Sequence, residues 1–136
     1  MPLFPLELIA PEKTLLSEKV KSVRVPGQEG SFGILAGHAP LMAALGTGVI
    51  KVEHENGDIE YIATSGGFLQ TTYDKTIILA DSAERAPDID VTRAEAAIAR
   101  AKERLESGEA IDYERARKAL ERSTNRLKVV QMHKEA

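Results

Sequence analysis

The sequence predicts an α+β protein: an N-terminal antiparallel β-sandwich or flattened barrel of eight to ten strands over residues 1–87, then an antiparallel two-helix hairpin over 88–136. Three observations carry this reading. All six prolines and nine of the ten glycines lie at or before Pro87. Up to that point apolar residues come in short, partly alternating runs between turn residues, the pattern of strands. Beyond it their spacing changes to threes and fours, and the chain becomes charged and alanine-rich.

In order along the chain, residues 6–9, 20–25, 49–52, 59–63, 68–72 and 76–80 read as strands. Asn56-Gly57 lies between two of them and suits a tight hairpin turn, because both central positions tolerate positive φ. A second hairpin turns at Tyr73-Asp74-Lys75, and the glycine-rich stretch from Gly27 to Gly37 reads as a turn-bearing loop beside the sheet. Short strands without helical periodicity among them fit a sandwich or flattened barrel.

Past Pro87, Val91, Ala94, Ile98, Ala101 and Leu105 line one face of a first helix. Tyr113, Ala116, Leu120, Ser123, Leu127 and Val130 do the same for a second. The connection Ser107-Gly108-Glu109-Ala110 is short enough to fold the two helices antiparallel. An alanine-rich seam brings helices close but buries little area, and at ~25 cal/mol per Å² an alanine contributes far less than a leucine. Set against ~1–2 kcal/mol of backbone entropy per ordered residue, the hairpin is marginal alone. It is expected to need a docking surface and to be able to leave it.

Composition excludes several functions. Residues 1–87 hold seven basic and eleven acidic side chains and the remainder eleven and ten, so no strongly basic surface exists for nucleic acid. Three tyrosines and three phenylalanines are few for stacking on bases. Without cysteine there is no disulfide framework or thiolate metal site, and His38, His54 and His133 lack ligand spacing, so no metal site is expected. No Ser-His-Asp constellation is arguable, and the Gly27–Gly33 run lacks the Lys-Ser/Thr of a P-loop; no catalytic residue is expected. No stretch approaches the ~18 apolar residues that cross a bilayer, and residues 1–10 lack the pattern of a leader, so membrane attachment is expected only through partners.

Two hexapeptides open the helices: Ile89-Asp90-Val91-Thr92-Arg93-Ala94 and Ile111-Asp112-Tyr113-Glu114-Arg115-Ala116. Each aspartate suits a helix cap, accepting from first-turn amides at the positive end of the dipole. The first copy has further company, since Arg93, Arg100, Arg122 and Arg126 each stand one residue before a seam position. With the turn near Gly108, three or four guanidinium groups can converge on one open side. Arg122 and Arg126 are four apart, with no acidic residue three or four positions from either, a repulsion worth a few tenths of a kcal/mol. The alternatives are a solvated charged face and a bound anion, for which arginine forks favour a polyphosphate.

The string Val25-Pro26-Gly27-Gln28-Glu29-Gly30-Ser31-Phe32-Gly33-Ile34-Leu35-Ala36-Gly37-His38-Ala39-Pro40 resembles the epsilon subunit of bacterial F-type ATP synthase. Ser65-Gly66-Gly67-Phe68, the run from Leu79 to Ala86, and Asn125-Arg126-Leu127 extend the likeness over essentially the whole chain. The resemblance implies a non-catalytic central-stalk subunit joining gamma to the ring of c subunits. It implies a helical tail that permits turnover when folded down and obstructs ATP hydrolysis by alpha and beta when extended. A site on the cytoplasmic face of a bacterial plasma membrane, peripheral and held by partners, follows from the same likeness.

The segment from Glu29 to Met42, including Ser31 and His38, is the candidate ring or gamma contact, with an exposed sheet face for gamma. Some relatives carry an acidic residue where this chain has Ser31. In Bacillus-like relatives an I/L-D-x-x-R-A motif binds ATP, and Ile89, Asp90, Arg93 and Ala94 match it. Glu84, Arg100, Arg122 and Arg126 fall at the corresponding acidic and basic positions. The implied ligand is regulatory ATP, alone or with Mg2+, with Asp90 and the backbone near Ile89 and Ala94 around adenine and ribose and the arginines around phosphate. The competing expectation is the same rotor subunit without nucleotide sensing, its tail acting only through basic contacts to beta.

Overall fold

The computed structural model describes residues 2–107 and 110–135, the second stretch with side chains from 113 onward. Seven strands come first: β1 (Phe4–Ala10), β2 (Lys13–Gly27), β3 (Gly30–Leu35), β4 (Leu41–His54), β5 (Ile59–Thr71), β6 (Thr76–Ala80) and β7 (Ala83–Arg85). A 3₁₀ turn, Ala86–Asp88, leads to helices α1 (Val91–Ser107) and α2 (Ala110–Glu135).

The strands form one sheet in the order β1-β6-β5-β4-β2-β3, and β1 also pairs with β2, which closes it into a barrel. Two long strands each hold two shorter ones along one edge: β2 carries β1 and then β3, while β5 carries β6 and then β7. The expected eight to ten strands become seven because β2, β4 and β5 run 13 to 15 residues without a break, β2 shifting register against β4 as it bends. All pairings are antiparallel except β1 with β6, where Leu6 to Ile9 run parallel to Thr76 to Leu79. The stretch expected as a loop is mostly the β2–β3 hairpin, with Pro26 opposite Ser31 and Gly27 opposite Gly30.

Alternation puts Phe4, Leu6 and Leu8 of β1 inside with Val20, Val23 and Val25 of β2 and Ile50, Ile62, Leu69 and Ile78 from the strands opposite. Each such side chain, fully buried, contributes about 1.5–3 kcal/mol relative to exposure. At Gly67 of β5 φ is +136°, and a Cβ there would stand 2.1 Å from the Leu79 carbonyl oxygen. Only glycine lets β5 lie this close to β6.

The Asn56-Gly57 hairpin forms with a wider turn than expected. The Gly57 amide donates to the His54 carbonyl at 3.0 Å, Gly57 alone takes positive φ, and the Asn56 side chain accepts from the Asp58 amide at 2.9 Å. The Tyr73-Asp74-Lys75 turn closes as expected, with the Thr72 amide donating to the Lys75 carbonyl at 2.8 Å.

The helices run antiparallel, Arg93 to Arg100 of α1 standing across from Arg122 to Arg126 of α2. Ala94 and Ala101 meet Ala116 and Ser123 in a buried seam. Tyr113, expected in that seam, is instead 49% exposed, since helices brought together by Ala101 and Ala116 leave no room for a phenol ring. Residues 108 and 109 of the connecting turn, and the expected cap by the Asp112 side chain, lie outside the described part.

Helix α2 lies between α1 and the barrel and so buries a second face that the seam pattern did not include. Val129, fully buried, packs with Ala63, Ala86 and Ile89, flanked by Val49, Tyr61 and Val130. The Asn125 amide donates to the Gly48 carbonyl at 2.7 Å. This docking cluster has four buried residues, two of them alanines, against fifteen in the barrel core, so far less apolar area holds the hairpin than holds the barrel.

Candidate functional site

Where α1, α2 and β7 meet, the structure encloses a cavity of about 470 Å³, within the range of small-ligand sites. Its position follows from local chain chemistry. Pro87 and the 3₁₀ turn end the sheet, and Asp90 then starts α1: its Oδ1 accepts from the Arg93 amide at 3.0 Å, and its carbonyl accepts from the Ala94 amide. That cap aims the first turn of α1 at the flank of α2. The small side chains of Ala94 and Ala97 leave open space that larger seam residues would fill.

Seven of the eight candidate nucleotide-site residues line this cavity: Glu84 from β7, Asp90, Arg93, Ala94 and Arg100 from the start of α1, and Arg122 and Arg126 from α2. Ile89 does not; its side chain is buried in the docking cluster. Asp88, Ala97 and Ser123 also line it and were not singled out in the sequence. Ser123 had one signal available, as the one aliphatic hydroxyl among the seam positions.

Four arginines share the cavity wall with three carboxylates, Glu84, Asp88 and Asp90, an excess of one positive charge. Arg126 Nε donates to Glu84 Oε1 at 2.5 Å, and Asp90 is engaged by the helix terminus. Among the described residues, Arg93, Arg100 and Arg122 form no ion pair with a carboxylate. Three guanidinium groups around one cavity without acidic partners suit a multiply charged anion.

A larger cavity, about 770 Å³, lies at the corner of the β4–β5 hairpin, lined by Glu18, His54, Glu60, Arg85 and His133 among others. Its main charges already answer one another. His54 places Nδ1 2.7 Å from Glu18 and Nε2 2.9 Å from Glu60, and Arg85 pairs with Glu60 and donates to the Leu15 carbonyl. Its wall carries four carboxylates, Glu18, Glu55, Asp58 and Glu60, against Lys19 and Arg85, which disfavours an anion, so the smaller cavity is the better anion site.

The segment from Glu29 to Met42 separates into two places. Glu29 and Met42 line a shared groove of about 450 Å³ with Phe32 and Leu41. Ser31 is exposed on β3 opposite Pro26, and His38 follows the Gly37 turn, its Nδ1 2.6 Å from the Ala39 carbonyl; neither lines that groove. On the outer barrel face, Ala44, Phe68, Leu79 and Ile9 are successive register partners across β4, β5, β6 and β1. Phe68 is 59% and Leu79 53% exposed, with Met42 at 71% on the same sheet. No helix among the described residues is long and apolar enough to cross a membrane.

Residues 3–86 match the family model for the beta-sandwich domain of the ATP synthase delta/epsilon chain, and residues 88–131 match the model for its long alpha-helix domain. An ATP synthase epsilon chain of Desulforamulus reducens is 44% identical over 127 residues, covering 93% of this chain and 96% of that one. The epsilon chain of Bacillus cytotoxicus is 39% identical over 133 residues, covering 97% and 99%. Among solved structures, a chain in the Euglena gracilis mitochondrial ATP synthase assembly of OSCP, F1 and c-ring superposes with a TM-score of 0.82 at 26% identity, covering 90% of this chain and 78% of that one. With both halves matched in sequence and the whole matched in fold, the chain belongs to the ATP synthase delta/epsilon family, as an epsilon subunit of the central stalk.

Proposed function

We propose that this subunit, itself non-catalytic, couples gamma to the c-ring and senses ATP through its helical hairpin, which restrains ATP hydrolysis when it leaves the barrel. The single observation that carries the sensing role is the cavity at the junction of α1, α2 and β7, with three guanidinium groups free of acidic partners among the described residues. A polyphosphate there draws α1, α2 and the barrel edge together at once. Asp90 and the backbone near Ile89 and Ala94 receive adenine and ribose, while Arg93, Arg100, Arg122 and Arg126 receive phosphate.

The energetics fit a switch. The small docking cluster leaves the compact state only modestly favoured, and a ligand at about 100 times its Kd adds ~2.7 kcal/mol to it, about a hundredfold in population. The row Ile9, Leu79, Phe68 and Ala44 suits gamma, since an apolar strip of this kind is unfavourable in water unless covered. The groove with Glu29 and Met42, together with Ser31 and His38, is assigned to the ring. On this reading the subunit is peripheral, held at the cytoplasmic face of a bacterial membrane by its partners.

Isothermal titration of the full chain with ATP, beside ADP and GTP, tests the sensing role. Saturable ATP binding that weakens in Arg93→Ala supports it. No binding at high ATP leaves a mechanical coupler whose tail acts only through basic contacts to beta.

A further inference from the structure

Ser123 breaks the pattern of the helical seam. Its counterparts along α2, Ala116, Leu120 and Leu127, are apolar, as are Ala94, Ile98 and Ala101 on α1. Ser123 is only 2% exposed, yet it lines the cavity beside Arg122 and Arg126 and supplies the one hydroxyl in that wall. A helical serine ordinarily turns its hydroxyl back to a carbonyl one turn earlier. Here Asn125 and Arg126 are engaged with Gly48 and Glu84, whereas the Ser123 hydroxyl has no protein hydrogen bond among the described residues. Nor is any sealed side-chain polar atom left without a partner there, so an unbonded hydroxyl at this position is one that opens onto the cavity.

Packing does not explain the choice. Alanine has the higher helix propensity and matches the rest of the seam, so serine here weakens the hairpin it belongs to. A residue that disfavours its own element and faces a site is a candidate for binding.

We propose that Ser123 is a ligand-binding residue of this cavity, its hydroxyl donating to a phosphate oxygen of a polyphosphate held by Arg122 and Arg126. The inference rests on the nucleotide reading above and extends it to a residue outside the arginine set. Phosphate is favoured over ribose because the hydroxyl stands between two guanidinium-bearing positions of α2, while the carboxylates of Asp88 and Asp90 lie on the segment entering α1. A fixed neutral donor among mobile cations gives the anion one directional contact.

The test compares Ser123→Ala with the unaltered full chain by titration with ATP and with inorganic tripolyphosphate, alongside thermal unfolding without ligand. The expected result is unfolding at the same or a higher temperature, with affinity for both probes reduced about tenfold, the scale of one hydrogen bond to a charged group. Unchanged ATP affinity in Ser123→Ala, while the unaltered chain binds, overturns this inference alone. Loss of ATP affinity with tripolyphosphate binding unchanged overturns the phosphate contact. Absence of ATP binding by the unaltered chain overturns the nucleotide reading and this inference with it.

Discussion

Arg126 on α2 and Glu84 on β7 are joined across the lip of the cavity, Nε to Oε1 at 2.5 Å, an ion pair that links the hairpin to the barrel. Both side chains are about a third exposed, which limits the pair to ~0.2–1 kcal/mol of docking energy. Arg126→Ala is expected to weaken ATP binding at least tenfold while lowering ligand-free unfolding temperature only slightly. Titration and thermal scans on the same preparation separate the two, and a large ligand-free loss with normal binding would make Arg126 structural.

Val129→Asp places an unpaired carboxylate at the fully buried centre of the docking cluster, at a cost above ~2 kcal/mol. The barrel core shares none of those residues. Limited proteolysis should therefore release the hairpin early and leave a resistant barrel fragment; equal loss of both halves would contradict the weak-docking account.

Two glycines make a matched pair. Gly67 and Gly30 both take positive φ, but a Cβ at Gly67 meets the Leu79 carbonyl oxygen at 2.1 Å, whereas one at Gly30 meets nothing within 4 Å. Gly30→Ala should cost about 1–3 kcal/mol from backbone conformation alone. Gly67→Ala should prevent a stable barrel, as read by thermal unfolding and soluble yield.

Phe68→Glu alters the most central exposed side chain of the apolar row without touching the core. Its unfolding temperature should stay near that of the unaltered chain while assembly with gamma, followed by co-purification, is lost. Retained assembly would move the gamma contact to another face.

At the surface of α2, Arg117 bridges Glu114 and Glu121. The hydrogen bond and charge of Arg117 hold the Glu114 carboxyl below its ordinary range, and Glu114 in turn raises Arg117. Because the folded value is depressed, whatever the pair contributes is present above the unfolded carboxylate range and fades as pH falls through the folded value. In Arg117→Ala, NMR titration should show the Glu114 midpoint move upward.

Much of this architecture was readable from residue patterns. The inward residues of β1, β6 and the end of β5 from Phe68 onward follow from alternation, and the antiparallel hairpin from a short connection between two three-and-four repeats. The parallel partnership of β1 with β6 was not readable, because closure of a sheet on itself is set by how the long strands bend and leaves no mark on β1. Val129 was missed because α2 serves two neighbours, and a single seam pattern describes only one. The four arginines were legible as a group since each precedes a seam residue, yet which would be neutralised depended on Glu84, brought in from another element.

The β1–β6 pairing also bears on how the molecule is made. Leu6 emerges early from the ribosome but cannot complete its ladder until Thr76 has followed, so closure is a high-contact-order event that waits for nearly all of the strand-forming chain. The hairpin follows these strands in the chain and docks on the surface they form. A closure of high contact order thus builds the barrel, and a local helix pairing supplies the hairpin that docks on it.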